Sequence, residues 1–234
     1  WVMNPLAVSE RLDCVKGLFD VVIFDEASQI PLEDAIPAVF RGKQVVVVGD
    51  EKQMPPTAFF SARADSPTIL DQANKVYKKK MLKWHYRSEH PGLINFSNRS
   101  FYENELITPP PVSLKVPIEL VNCKGTFNDN VNKKEAKEIA NYISKNALNK
   151  IEQYGIIALS KEQENLIRKE LNLLGIDQEK LLLRNLENAQ GIERNVVLIS
   201  LAYAANEDGK FRLNFGPVNQ ERGINRLNVL FTRA

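Results

Sequence analysis

The sequence predicts an α/β protein built on parallel sheets, arranged as two successive units along 234 residues. Three observations lead there. Two short runs rich in Val and Ile, "FDVVIFDE" (19–26) and "QVVVVGDEKQ" (44–53), have the near-continuous apolar character of buried parallel strands. Each runs into acidic or glycine-containing turn chemistry, and a short helical stretch lies between them. The result is strand, helix, strand in about 30 residues. A second alternation of strands and helices then fills the rest of the chain.

Taken in order, "PLEDAIPAVF" (31–40) fits a short helix with Pro31 near its start, where a missing N–H costs nothing. "MLKWHYR" (81–87) reads as a strand and "PGLINFSNRSFY" (91–102) as a helix, followed by a proline-rich connection, "TPPPVSLKVP" (108–117). "NKKEAKEIANYISKNAL" (132–148) carries apolar residues at helical spacing, and "YGIIALS" (154–160) is a strand. "EQENLIRKELNLLG" (162–175) is a helix closed by Gly175, and "NVVLISLAYA" (195–204) is another buried strand. The boundary is expected near "NKVYKKK" (74–80), whose lysines read as a solvated linker face, dividing the chain into 1–75 and 76–234.

Bulk properties narrow the class. With 44% apolar and 26% charged residues the balance is that of an ordinary soluble protein. A net charge of +2 neither demands nor excludes a nucleic-acid partner, so a local patch would have to supply affinity. Cys14 and Cys123 lack CxxC spacing, which reads as buried or idle thiols in a reducing, cytoplasmic setting and argues against zinc. No apolar run approaches the roughly 18 residues of a membrane span, and no signal peptide is visible. The opening on Trp1-Val2-Met3 and the ending on "LFTRA" read as an excerpt from a longer protein.

Ligands of parallel sheets collect beyond the carboxyl ends of the strands. Asp25 and Glu26 stand at such an end, where one carboxylate can hold Mg²⁺ and its neighbour can polarise an attacking water. The plain alternative is a strand followed by an N-capping Asp. "GDEKQMPP" (49–56) brings Gly49, Asp50 and Gln53 to the matching end of the next strand, where a glutamine can hydrogen-bond a terminal phosphate or the attacking water. A turn of Gly, Asp and two prolines accounts for Gly49, Pro55 and Pro56 but gives no reason for Gln53.

With "DEASQ" (25–29) and "GDEKQMPP" come "HYRSEHP" (85–91), "AQGIERNVVLIS" (189–200) and "RLNVLFTRA" (226–234). In this order they resemble motifs II through VI of superfamily 1 helicases, most of all the up-frameshift-like branch. Within it they look most like large bacterial helicase-like proteins in which "WVMNPLAVSERL" precedes motif II. The resemblance spans the whole chain, more weakly at 60–80 and 108–155. It implies two RecA-like domains of the P-loop NTPase type, with ATP bound between them and a single nucleic-acid strand crossing their top. It further implies that Asp25 is the Mg²⁺ ligand, Glu26 the catalytic base and Gln53 the γ-phosphate sensor. Arg87 and Arg233 match the two arginines that reach the γ-phosphate from the second domain, and such cations neutralise charge on a transferred phosphoryl group. Gln190, Gly191 and Glu193 match the motif that touches nucleotide sugar and phosphate, while Arg226 and Asn228 open motif VI in a structural or coupling role. Taken singly, Arg87 is also readable as a surface arginine and Arg233 as a helix-end cation.

The chain departs from the family pattern in places. No GxxxxGK[ST] occurs, and "GKQVV" (42–46) precedes a strand and lacks the upstream glycine. The lysine that grips the β and γ phosphates is expected upstream of Trp1, and the chain alone is expected neither to bind ATP tightly nor to hydrolyse it. "ALSKEQ" (158–163) keeps only Gln163 of the usual polar and aromatic set, Asn195 replaces a common acid, and His85 stands where Gln is usual. Nucleic-acid contact, to single-stranded DNA or RNA with little sequence preference, is assigned to Asn4, Pro5, Ser9 and Ser160. Phe59 and Phe60 are also candidates, although as core residues first. The branch suggests 5′ to 3′ movement by analogy. The rival reading is a non-catalytic helicase-like interaction module, against which stands the joint retention of Asp25, Glu26, Gln53, Arg87 and Arg233. A parent chain joining the motor to further domains, such as a nuclease, is also compatible.

Overall fold

The computed structural model describes residues 1–54, 67–88, 90–111, 116–147, 149–189, 191, 193–211, 214–219 and 223–233. They fall into two compact units, Trp1–Leu82 and Lys83–Ala234.

The first unit opens with α1 (Pro5–Arg11), whose N-cap Asn4 accepts the Ala7 N–H at 2.7 Å and whose first residue is Pro5. β1 (Phe19–Phe24), α2 (Leu32–Arg41) and β2 (Gly42–Val47) form the expected strand–helix–strand unit, the strands pairing in parallel from Phe19↔Gly42 to Phe24↔Val47. Side chains alternate across this pair. Val22, Phe24, Val45 and Val47 pack with Ala35 and Ala38 of α2 and with Ile69 and Leu70 of α3 (Ile69–Val76). Val21, Ile23 and Val46 are exposed, so the two strands are covered on one face and not buried throughout as their composition suggested.

α3 replaces the start of the expected linker. Thr68 accepts the Asp71 N–H through Oγ1 at 3.1 Å, and Asp71 Oδ2 accepts the Thr68 N–H at 2.9 Å, a reciprocal cap that starts the helix. Asn74–Val76 is therefore helical, and Lys79 pairs with Glu51 at 2.8 Å. The division between the units follows the lysine run.

The second unit contains α4 (Gly92–Phe101), α5 (Lys133–Asn146), β3 (Tyr154–Ala158), α6 (Lys161–Leu173), β4 (Leu182–Asn185), β5 (Val196–Ser200) and α7 (Gly223–Phe231). Its sheet runs β4–β3–β5, all parallel. β3 is central and buried along its length. Ile156 packs with Ala140, Ile143, Ile167 and Leu171 of α5 and α6, while Ile157 joins Leu159, Leu186 and Leu230 in a separate cluster. α6 ends as expected at Gly175, where φ is +68° and the Ile176 N–H reaches Leu171 O at 3.1 Å. The expected strand at 81–87 is corrected. Trp84 makes an isolated parallel bridge to Ile107, and Leu82, Trp84 and Tyr86 are exposed, so its alternation has no sheet face to bury against.

Gln163 is fully buried and binds three groups. Its Oε1 accepts the Asn132 N–H at 2.9 Å, and its Nε2 donates to Asn132 O at 3.3 Å and to Ser200 Oγ at 3.1 Å. These bonds tie the first turn of α6 to the N-cap of α5 and the last residue of β5. Gln163→Leu is expected to cost about 2 kcal/mol, because a buried N–H loses its acceptor. Urea unfolding reads the loss, and an unchanged midpoint would refute this account. Among the described residues no helix is long and apolar enough to cross a membrane.

Candidate functional site

The candidate residues Asp25, Glu26, Asp50 and Gln53 follow the carboxyl ends of β1 and β2. The strand ends are stitched by Val48 N–H to Phe24 O at 2.8 Å and Ala27 N–H to Val48 O at 2.9 Å. Asp25 and Glu26 therefore lie beside Val48 and Gly49. A Cβ on Gly49 would stand 3.1 Å from the amide nitrogens of both Ala27 and Ser28 and from Leu70 Cδ2, a tight approach at which any side chain presses on the backbone of the turn.

Asp25 Oδ1 accepts the Glu26 N–H at 2.9 Å. Glu26 itself is left-handed, with φ +49°, a conformation uncommon outside glycine and the kind of local strain that concentrates at functional sites. Both residues are exposed. Two adjacent carboxylates, one of them already oriented by a backbone amide, suit a small hard divalent cation that takes its other ligands from phosphate and water. Across the corner Asp50 organises the second loop. Its Oδ1 accepts the Lys52 N–H at 2.8 Å, and its Oδ2 accepts Gln53 Nε2 at 3.1 Å. The sequence placed Asp50 at this end but did not reveal that it holds the Gln53 amide.

In the second unit, Arg87 and Glu193 form an ion pair with each other, both side chains about half exposed. Gly191 has φ +75° with open space where a Cβ would stand, so here the backbone angle is what selects glycine. Gln190 lies outside the described residues, as do Phe59 and Phe60. Arg233 is buried. Its Nε donates to Val229 O at 2.8 Å and its Nη2 to Thr232 Oγ1 at 2.9 Å, closing the end of α7. Arg226 makes a two-pronged contact with Glu187, Nε to Oε1 at 2.6 Å and Nη2 to Oε2 at 3.3 Å, and Asn228 Nδ2 donates to Tyr102 Oη at 2.8 Å. Nothing in the sequence singled out Glu187, an acid just before "AQGIE".

His85 Nε2 lies 2.9 Å from Ser88 Oγ and accepts the Ser88 N–H at 3.4 Å. Partial burial, and then the neighbouring Arg87 charge, push the imidazole below its usual pKa. The candidate nucleic-acid contacts have roles in the fold: Asn4 and Pro5 start α1, and Ser9 Oγ reaches Pro5 O at 3.5 Å. Ser160 caps α6 by accepting the Gln163 N–H at 3.1 Å, and its hydroxyl donates to Asn130 O at 3.2 Å. Cys14, expected to be buried or idle, is exposed, and both cysteines are free.

An AAA domain family model matches residues 68–234, and a second AAA domain model matches residues 6–61. The chain is 32% identical over 258 residues to the uncharacterized ATP-dependent helicase MG140 of Mycoplasma genitalium, an alignment covering 94% of this chain and 22% of that protein. It is 28% identical to helicase SEN1 of Saccharomyces cerevisiae, covering 92% of this chain and 11% of that one. To the DNA replication ATP-dependent helicase/nuclease DNA2 of Gallus gallus it is 24% identical, covering 94% of this chain and 22% of the relative. The chain thus spans about a fifth of the length of the first curated relatives it matches.

Proposed function

The chain belongs to the superfamily 1 helicases, through the AAA domains it carries, and from that premise we propose that it is the motif II to VI portion of an ATP-driven motor acting on single-stranded DNA or RNA. The observation that carries the reading is the parallel register of β1 and β2, which sets Asp25, Glu26 and Gln53 at one end of the same strand pair. In this reading Asp25 holds Mg²⁺, Glu26 takes the proton of the attacking water, and Gln53 meets the terminal phosphate. Arg87 and Arg233 offset the charge that develops on the transferred group, and Gln190, Gly191 and Glu193 meet the nucleotide sugar and phosphate. Bound Mg²⁺-ATP supplies the phosphoryl group whose transfer to water drives the motor.

The two units correspond in this reading to the carboxyl part of one RecA-like domain and to a second. In this reading the intact protein works in the cytoplasm. Nucleic-acid-stimulated ATP hydrolysis by the intact protein tests the proposal, with single-stranded DNA and RNA compared side by side. Stimulation by either supports a motor and names its track. Tight nucleic-acid binding with no hydrolysis would favour the non-catalytic interaction module instead.

A further inference from the structure

We propose that His85 is a positioning residue for Arg87, its imidazole fixing the turn on which the arginine is carried. The inference rests on the reading of Arg87 as a phosphate-facing cation. Two sets of contacts bracket that residue. On one side the His85 backbone is pinned: its N–H donates to Ile107 O at 2.9 Å, and the Ile107 N–H donates to Lys83 O at 2.7 Å. On the other side the imidazole reaches over Tyr86 and Arg87 to Ser88, with Nε2 2.9 Å from Ser88 Oγ and 3.4 Å from the Ser88 nitrogen. Tyr86 and Arg87 are exposed on the turn so closed.

The chemistry of the closure is specific. A backbone N–H can only donate, so the ring nitrogen facing Ser88 must be an acceptor, which requires a neutral imidazole protonated on Nδ1. A protonated ring presents a donor to that donor and loses the Ser88 N–H, keeping only the Ser88 hydroxyl, which turns to accept, so the turn is held by one bond instead of two. Among the described residues, the charged groups around it are Arg87 itself, Glu193 paired to Arg87, and the Lys83–Glu105 pair, 3.4 Å apart, flanking the Ile107 anchor. An arginine on a loosened turn is displaced from its productive geometry without any contact to it being removed.

Two substitutions in the intact protein test this, read by nucleic-acid-stimulated ATPase between about pH 5.5 and 8, a window that spans the histidine range. H85A should lower kcat on the order of tenfold with little change in KM for ATP, since positioning acts on the transition state. H85Q should restore most of the rate, because the amide oxygen is an acceptor that does not titrate. The wild type should lose kcat as pH falls below the ordinary histidine value of 6.5, and H85Q should lack that limb. Stability should follow the same window. The native pKa is depressed, so the unfolded chain binds the proton first, and stability falls as pH drops from 6.5 towards the native value. Wild-type kcat in H85A, an H85Q as impaired as H85A, or an unchanged acid limb in H85Q would overturn the inference alone. An inactive wild type with every nucleic acid would overturn the functional reading and this inference together. Where H85A fails to fold, the pH profiles of H85Q and wild type decide.

Discussion

Glu26→Gln in the intact protein should hydrolyse ATP about a thousandfold more slowly than wild type while binding it as tightly. The amide matches the carboxylate in size, so it meets the same left-handed backbone at φ +49° and adds no strain that glutamate does not already bear. Asp25 keeps its bond to the residue 26 N–H, at 2.9 Å in the native chain, so its carboxylate, the proposed cation ligand, stays oriented. What disappears is the ability to accept a proton from water. Equilibrium binding of ATP and single-turnover hydrolysis separate the two effects, and full turnover in this variant would remove Glu26 from the role of base.

Arg87→Ala should lower kcat by about a thousandfold, the lower end of what a phosphate-facing arginine contributes, again with modest change in ATP affinity. The structure makes this a clean test. Arg87 pairs with Glu193 at a half-exposed position, where an ion pair is worth only about 0–1 kcal/mol, so its loss barely touches folding. Arg233 is the poorer probe, because its buried guanidinium closes α7 through Val229 and Thr232, and truncation would remove structure and chemistry together. Arg87→Lys should rescue little, since an ammonium lacks the planar fork. A wild-type kcat in Arg87→Ala would leave the residue a surface cation. Glu193 adds a second reading of the same pair: it holds the arginine, so nucleotide contact with either residue has to compete with the other.

The legible parts of this molecule were those with short-range signatures. Val- and Ile-rich runs located β1, β2 and β5, helical spacing located α5 and α6, and Gly175 marked the end of α6. Strand polarity then places Asp25, Glu26 and Gln53 at one end from the sequence alone. Features settled by distant partners were not legible. Composition marked β1 and β2 as fully buried, but burial depends on what packs on each face, and Ile23 and Val46 are bare. The 81–87 stretch has strand-like alternation, yet it pairs only through Trp84 and Ile107. The helix at Ile69–Val76 did have a local sign in Thr68 and Asp71, outweighed by the lysines that follow. Motif resemblance supplied roles for Arg87 and Glu193 separately, while their pairing joins segments far apart in the chain.

Gly49 sets how closely the loop of Asp50 and Gln53 approaches the turn that follows Asp25 and Glu26. Two backbone bonds cross the strand ends there, and the absent side chain lets the two loops approach closely. A larger side chain at that position would act as a wedge, pressing on the backbone of Ala27 and Ser28 and separating the loop of Asp50 and Gln53 from Asp25 and Glu26.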